Sequence, residues 1–201
     1  MIDVSVIGCG NMGGALLAGL SRAGGYRITA YDVDPDALEA VSEHCDRTTT
    51  DLDDVRDSEV VVLAVKPDIV PVVLEDLDLR AEQTLVTIAA GVSRARVEAE
   101  TDATVVRIMP NLAAETRSMA AAVAWDEPVA AVARMLDDLG EYVEIDEDRM
   151  HVATALNGGG PAFVFYLIQA MQERAVAEGL DPGDARTLAA QTFAGAAETV
   201  L

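Results

Sequence analysis

The 201-residue sequence has few basic residues, and lysine is almost absent. It contains 14 Lys and Arg against 35 Asp and Glu, a formal net charge of −21, and Lys66 is its single lysine. Proteins that coat nucleic acid and polybasic membrane anchors need clusters of Lys and Arg to contact phosphate groups. The composition excludes both classes, so we expect neither a nucleic-acid nor a membrane partner.

Cysteine is equally scarce. Cys9 and Cys45 are the only two and show no CxxC spacing, which argues against a disulfide framework and against a zinc site, so we expect no metal. The amino terminus lacks the basic and apolar segments of a secretory signal, and we expect a cytoplasmic protein. Segment 150–172 has no charged residue, but its Gly run and Pro161 favour a buried interface helix over a membrane span.

The acidic excess does not indicate disorder, because hydrophobic residues make up 51% of the chain and disordered acidic chains are poor in them. The length corresponds to one domain or two small ones. An acidic surface suits a salty cytoplasm, where salt screens the repulsion between carboxylates. A GC-rich genome is an alternative explanation for the preference for Arg over Lys.

Apolar runs alternate with helical patterns along the first three quarters of the chain. The runs that predict strands cover 2–7, 27–31, 60–65, 85–90, 105–109, 119–125 and 142–145. This alternation predicts an α/β fold with a doubly wound parallel sheet over 1–146. Only helical patterns remain in 147–201, and two helices cannot bury both of their faces, so we expect this all-α domain to pack on a partner subunit.

The sequence Gly8-Cys-Gly10-Asn-Met-Gly13 follows a predicted strand and opens a predicted helix. In this context GxGxxG is a dinucleotide-binding fingerprint of the Rossmann type. Gly8 permits a tight turn, Gly10 lets backbone N–H groups approach a pyrophosphate, and Gly13 allows close helix–strand packing. The alternative is a glycine-rich turn with a purely structural role.

Asp32 ends the second predicted strand, where a carboxylate accepts hydrogen bonds from ribose hydroxyls and repels a 2′-phosphate. No Arg or Lys lies between residues 28 and 43 to bind such a phosphate. These residues favour NADH over NADPH. The alternative is that Asp32 simply faces solvent.

Three further motifs follow predicted strands. Lys66, in Ala-Val-Lys-Pro, ends the most apolar run, and its being the only lysine suggests a site-specific task rather than an ordinary strand-end cation. Ala89-Ala90-Gly91 leaves room for a ligand at the next strand end. Asn111 offers an amide to orient a nicotinamide or an imine, the alternative being plain turn chemistry.

The segment from Thr154 to Phe163 contains three consecutive glycines inside a helical pattern. Each costs about 1 kcal/mol relative to alanine in a helix interior. The glycines indicate a close backbone approach to a ligand or to another helix. The alternative is a kink without a ligand.

Taken in order, these motifs resemble the pyrroline-5-carboxylate reductase family. The matching segments are GCGNMG (8–13), AVKP (64–67), IAAGV (88–92), MPN (109–111), TALNGGGPAF (154–163) and AAQTFAGAA (189–197). The resemblance implies a Rossmann domain, a helical dimerisation domain that interlocks with a second subunit, and reduction of 1-pyrroline-5-carboxylate to L-proline by NAD(P)H in proline biosynthesis. The implied cofactor contacts are Gly10, Asn11, Met12, Asp32, Val65, Lys66 and Ala90.

The resemblance also implies substrate-site residues. Glu147 matches an acidic residue near the family's substrate, and Thr154 matches the threonine of its TALSGSGPAY-like element. Asn157 and Gly158 complete the catalytic candidates, because we expect the nicotinamide to lie across the strand ends at 65, 90 and 111, facing the NGGGP segment.

The sequence departs from the family pattern at several positions. Asn157 and Gly159 replace serines, Leu112-Ala113 replaces Thr-Pro, and Asp51 replaces an asparagine. The family pattern continues into an SPGGTT-like loop that helps hold the substrate carboxylate, and the 201 residues include no such stretch. Two alternatives stay open: another NAD(P)H-linked imine or deazaflavin reductase, or a non-catalytic nucleotide-binding and dimerisation module.

Overall fold

The computed structural model describes residues 1–201 and comprises two compact units, 1–158 and 159–201. The strands of the first unit are β1 (Ile2–Ile7), β2 (Tyr26–Tyr31), β3 (Arg47–Thr49), β4 (Val60–Leu63), β5 (Thr84–Thr87), β6 (Thr104–Met109), β7 (Met119–Ala124) and β8 (Gly140–Glu144). They form one sheet in the order β3-β2-β1-β4-β5-β6-β7-β8. The chain therefore runs outward in opposite directions from β1 and β4, which is the switch point of a doubly wound fold.

Helices connect most of these strands. Those of the first unit are α1 (Asn11–Ala23), α2 (Pro35–Val41), α3 (Val70–Asp76), α4 (Arg94–Glu98), α5 (Ala130–Leu139) and α6 (Met150–Ala153). Short 3₁₀ turns lie at 42–44, 52–55, 112–116 and 147–149, and a π-helical turn covers Thr154–Gly158. The second unit consists of α7 (Gly160–Ala177) and α8 (Pro182–Val200).

Apolar side chains cover both faces of the sheet. Leu17 of α1 and Leu136 of α5 are buried in the core on one face. Val70 of α3 and Val97 of α4 are buried in the core on the other. Helices on both faces confirm the α/β, doubly wound Rossmann-type sheet, and the helical region after it is confirmed as well.

Three details of the predicted sheet are wrong. β7 runs antiparallel to β6, because the chain between Met109 and Met119 holds only a 3₁₀ turn and not the long crossover that a parallel pair needs. The short strand β3 was not predicted. β4 and β5 end at Leu63 and Thr87, so the AVKP and AAG motifs lie in the loops that follow.

The second unit is a helical hairpin. Asp181 caps α8 by accepting a hydrogen bond from Gly183 N at 2.8 Å. No residue of α7 is buried, and α8 buries only Ala185 and Ala189. None of the helices combines the length and the apolarity that a membrane crossing requires. The proposed domain limit between residues 146 and 147 stays a prediction.

Candidate functional site

Most of the predicted cofactor residues follow the carboxyl ends of adjacent parallel strands. Gly8 follows β1, Ala64 follows β4, Ile88 follows β5 and Asp32 follows β2. The last ladder bonds run from Ala64 N to Ile7 O (2.8 Å) and from Ile88 N to Leu63 O (3.3 Å). The loops beyond these bonds meet along one edge of the sheet, at the switch point where doubly wound folds bind ligands.

Two glycines of the fingerprint are required by the backbone of this edge. Gly8 has φ +99°, and a Cβ there would lie 2.8 Å from Ala64 O. A Cβ on Gly13 would lie 1.8 Å from Gly8 O, so only glycine lets α1 begin this close to β1. A Cβ on Gly10 would meet no atom within 4 Å. Gly10 therefore borders open space rather than protein.

The start of α1 offers donors to an anion. Gly10 is its N-cap and provides no side-chain hydrogen bond, and no acidic residue lies in the first turn. The N–H groups at such a helix start have no intrahelical acceptor, and the helix dipole adds partial positive charge. The exposed Asn11 and half-buried Met12 border this start, which fits the pyrophosphate of a dinucleotide.

Asp32 is fastened to the glycine-rich loop. Its Oδ2 accepts a hydrogen bond from Cys9 N at 2.7 Å, and its Oδ1 accepts one from Asp34 N at 3.0 Å. Burial, followed by the charge of Asp32, raises the pKa of the Cys9 thiol to about 12, so this thiol is neutral at physiological pH. Asp32 consequently holds the loop in place as well as adding negative charge to it.

The loops after β4 and β5 supply the remaining cofactor candidates. Val65 lies beside Gly8, since its Cγ1 would be 3.1 Å from a Cβ on that glycine. Lys66 and Ala90 are exposed, and Lys66 has no carboxylate within ion-pair distance. In a chain with so many carboxylates, an unpaired lysine at this edge is free to meet a ligand.

Asn111 makes the contacts of a turn residue. Its Oδ1 accepts hydrogen bonds from Ala113 N (3.2 Å) and Ala120 N (3.3 Å), and the residue is 8% exposed. The turn chemistry considered from the sequence accounts for these bonds. Only the amide NH₂ of Asn111 is left for a ligand.

The π-helical turn brings the glycine segment against the end of β6. Asn157 Nδ2 donates to Met109 O (2.7 Å) and to Ala120 O (2.9 Å). A Cβ on Gly158 would lie 3.6 Å from Met109 Sδ. Thr154 Oγ1 donates to Met150 O within its own helical turn (2.8 Å). Single π turns of this kind are frequent at functional sites.

Glu147 belongs to a charged cluster with Arg94 and Arg107 that was not predicted from the sequence. Its Oε1 accepts hydrogen bonds from Arg107 Nη1 (2.9 Å) and from Arg94 N (2.7 Å). The Arg107 side chain is 9% exposed, while that of Glu147 is 29% exposed. One charged residue inside the apolar strand TVVRIM was the signal that could have identified Arg107. Glu147 and Trp125 line a cleft of about 630 Å³, and none of the fingerprint glycines lines it.

Comparisons with known proteins cover both parts of the chain. The family model for pyrroline-5-carboxylate reductase dimerisation matches residues 147–201, and that for NADP oxidoreductase, coenzyme F420-dependent, matches 3–91. The pyrroline-5-carboxylate reductase of Methanosarcina acetivorans is 38% identical over 98% of this chain and 78% of its own length. That of Mycobacterium leprae is 36% identical over 100% of this chain and 74% of its own length.

Solved structures give the same result. The pyrroline carboxylate reductase of Plasmodium falciparum, with NADP bound, has a TM-score of 0.87 at 25% identity, over 99% of this chain and 78% of that one. The pyrroline-5-carboxylate reductase of Coxiella burnetii has a TM-score of 0.82 at 30% identity, over 98% and 78%. With these identities over nearly its whole length, the chain belongs to the pyrroline-5-carboxylate reductase family.

Proposed function

We propose that this chain reduces 1-pyrroline-5-carboxylate to L-proline with a reduced nicotinamide dinucleotide. Family membership supports the reaction, and one observation in the structure supports the position of the active site. The fingerprint glycines, the AVKP and AAG loops and the Asn157–Gly158 segment all lie at the carboxyl ends of β1, β4, β5 and β6. A cofactor at this edge lies next to the segment that resembles the family's substrate element.

The residues present fit such a cofactor. Gly10 leaves open space, the start of α1 provides unpaired N–H groups, and Lys66 has no competing carboxylate. Val65, Ala90 and the NH₂ of Asn111 complete the set that would hold the dinucleotide. When bound, the dinucleotide supplies a hydride to the substrate's C=N carbon, while the ring nitrogen carries a proton.

The protein's part in this chemistry is orientation and charge. A protonated imine already accepts hydride well, so holding it against the cofactor is the main requirement. Glu147 keeps Oε2 free of hydrogen bonds within the chain, and a carboxylate there favours the cationic imine. Thr154 and Gly158 begin and end the π-helical turn that follows the 147–149 turn and α6. We assign these three residues to the substrate side.

We also propose NADH as the preferred cofactor. Asp32 follows β2, where folds of this kind contact the adenine ribose, and Asp34 N donates to its Oδ1, which supports this preference. Arg47, on the adjacent strand β3, is paired with Asp54 at 2.5 Å. A phosphate at this position meets carboxylates and no free cation. We expect a higher kcat/KM with NADH than with NADPH, and we expect Asp32→Ser to narrow the difference. A tenfold preference of the unmodified chain for NADPH contradicts this assignment.

The dimerisation region supports a homo-oligomer, which we propose to be a dimer. α7 exposes Phe163 (71%) and Tyr166 (72%), together with Phe165 and Leu167. Apolar surface of this extent is typical of subunit interfaces. The cytoplasmic location stays a prediction from the sequence.

A substrate panel tests the proposed reaction. The purified chain is given NADH or NADPH with pyrroline-5-carboxylate, with a cyclic imine that lacks the carboxylate, or with coenzyme F420 as a hydride acceptor. We expect turnover with pyrroline-5-carboxylate and proline as the product by amino-acid analysis. Oxidation of NADH or NADPH by F420, without turnover of either imine, favours the deazaflavin alternative. Cofactor binding without any turnover favours the non-catalytic module.

A further inference from the structure

The hydrogen-bond ladder between β6 and β7 stops where the π-helical turn 154–158 contacts the end of β6. The last pair is Met109 with Ala122, and the same register would place Pro110 opposite Ala121 and Asn111 opposite Ala120. Asn111 does not continue the ladder, because its backbone C=O accepts from Ala114 N (3.2 Å) as the 3₁₀ turn at 112–116 begins. The backbone N–H and C=O of Ala120 are left without backbone partners from β6.

Two asparagine side chains replace the missing ladder bonds. Asn111 Oδ1 accepts from Ala120 N, while Asn157 Nδ2 donates to Ala120 O and to Met109 O. Both Nδ2 hydrogens of Asn157 are thus used on carbonyl groups of β6 and β7. Its amide therefore connects the π-helical turn to the final residue of β6, next to the loop that contains Asn111.

We propose that Asn157 is a positioning residue and not a substrate ligand. Its two hydrogen bonds set the distance between the Gly158 backbone and the carboxyl end of β6, where the nicotinamide is expected. This inference rests on the proposed function for its catalytic consequence. Its structural part, the attachment of 154–158 to β6 and β7, is independent of turnover.

The chain contains a matched control for this amide. Gln83 Nε2 likewise donates to two carbonyl groups, Arg56 O (2.7 Å) and Ser58 O (2.6 Å), and the residue is 2% exposed. It lies beside the amino ends of β4 and β5, at the opposite edge of the sheet. Asn157→Asp and Gln83→Glu each remove two N–H donors without changing the size of the side chain.

The experiment compares both variants with the unmodified chain by hydrogen exchange and by kinetics. For N157D we expect amide exchange in 154–158 to accelerate at least tenfold. We also expect kcat to fall at least tenfold and the isotope effect with [4,4-²H₂]NADH to rise, with NADH affinity changed less than threefold. For Q83E we expect a lower Tm, but kcat within threefold and unchanged exchange in 154–158. Asn157→Ser retains one donor and should give intermediate values, which keeps the test valid if N157D does not fold.

Two outcomes overturn the inference: a kcat within threefold of the unmodified chain in folded N157D, or an equal loss of kcat in Q83E. If N157D does not fold, a kcat and a 154–158 exchange rate in N157S that both equal those of the unmodified chain overturn it instead. If the unmodified chain shows no turnover, the proposed function fails. The exchange rates of 154–158 then still decide whether Asn157 holds this segment, and unchanged rates in N157D reject it.

Discussion

At the scale of single residues, the glycines of the GxGxxG motif have different structural roles. The carbonyl of Gly8 leaves no room for a side chain at Gly13, while Gly10 borders open space. The GxGxxG pattern predicted close helix–strand packing at Gly13, and the short distance from its Cβ position to Gly8 O agrees with this. The approach of a pyrophosphate to Gly10 stays a prediction.

The contrast between the two glycines predicts opposite behaviour on substitution by alanine. Gly13→Ala should lower the free energy of unfolding by about 1–3 kcal/mol or more, since its Cβ overlaps backbone. Gly10→Ala should cost less than about 1 kcal/mol and still weaken NADH binding at least tenfold. Denaturant unfolding and a fluorescence titration measure the two quantities. Equal stability of both variants contradicts this reading.

Lys66 permits a test by chemical labelling. The chain has only two primary amines, Lys66 and the terminus of Met1, which is 82% exposed. If Lys66 contacts the cofactor, saturating NADH should slow its acetylation several-fold. The amine of Met1 reports any general effect of the nucleotide. Mass spectrometry of the two peptides gives both rates, and identical rates at Lys66 with and without NADH reject the contact.

At the scale of elements, residue periodicity recovered seven of the eight strands and missed β3. β3 is only Arg47–Thr49, a polar edge strand without the apolar alternation that marks a strand in sequence. The reversed direction of β7 depends on the length and shape of its connection rather than on its composition. The asparagine bonds to Ala120 depend on a ladder that ends at Met109, which no single segment encodes.

The attachment of the 147–149 turn to the sheet is another such long-range feature. Glu147 neutralises the nearly buried Arg107 and accepts from the first N–H of α4. Glu147→Gln leaves that guanidinium without its counter-charge and should cost about 2–3 kcal/mol of unfolding free energy. Glu98→Gln removes an exposed partner of Arg94, which keeps its second partner Asp126, and should cost less than about 1 kcal/mol.

Urea unfolding of the two glutamine variants provides the comparison. Equal losses indicate that the Glu147–Arg107 pair behaves as a surface ion pair. A lower kcat of E147Q, measured without urea at a temperature where the variant remains fully folded, adds support for the substrate-side assignment of Glu147.

At the scale of the whole molecule, the net negative charge is the main influence on how stability depends on salt. The chain has 21 more carboxylates than basic side chains, and most of its ion pairs involve exposed side chains. Added salt shortens the Debye length from about 10 Å at 0.1 M to about 3 Å at 1 M, which screens this repulsion. We expect the free energy of unfolding to rise between 0.1 M and 2 M KCl.

Thermal unfolding across a KCl series measures this dependence, with sucrose at matched osmolality as the control because it screens no charge. Maximum stability at 0.1 M KCl contradicts the expectation. The same acidic field is the reason that a lone, unpaired lysine at the cofactor edge stands out from the rest of the surface.

The central claim is that this chain transfers a hydride from a nicotinamide to the ring carbon of pyrroline-5-carboxylate. The most direct measurement supplies [4,4-²H₂]NADH, which carries deuterium on both faces of the nicotinamide ring, and follows the label by mass spectrometry. The account predicts one deuterium in L-proline, on the ring carbon next to nitrogen that does not bear the carboxylate. Proline without label, or no proline while NADH binds, contradicts it.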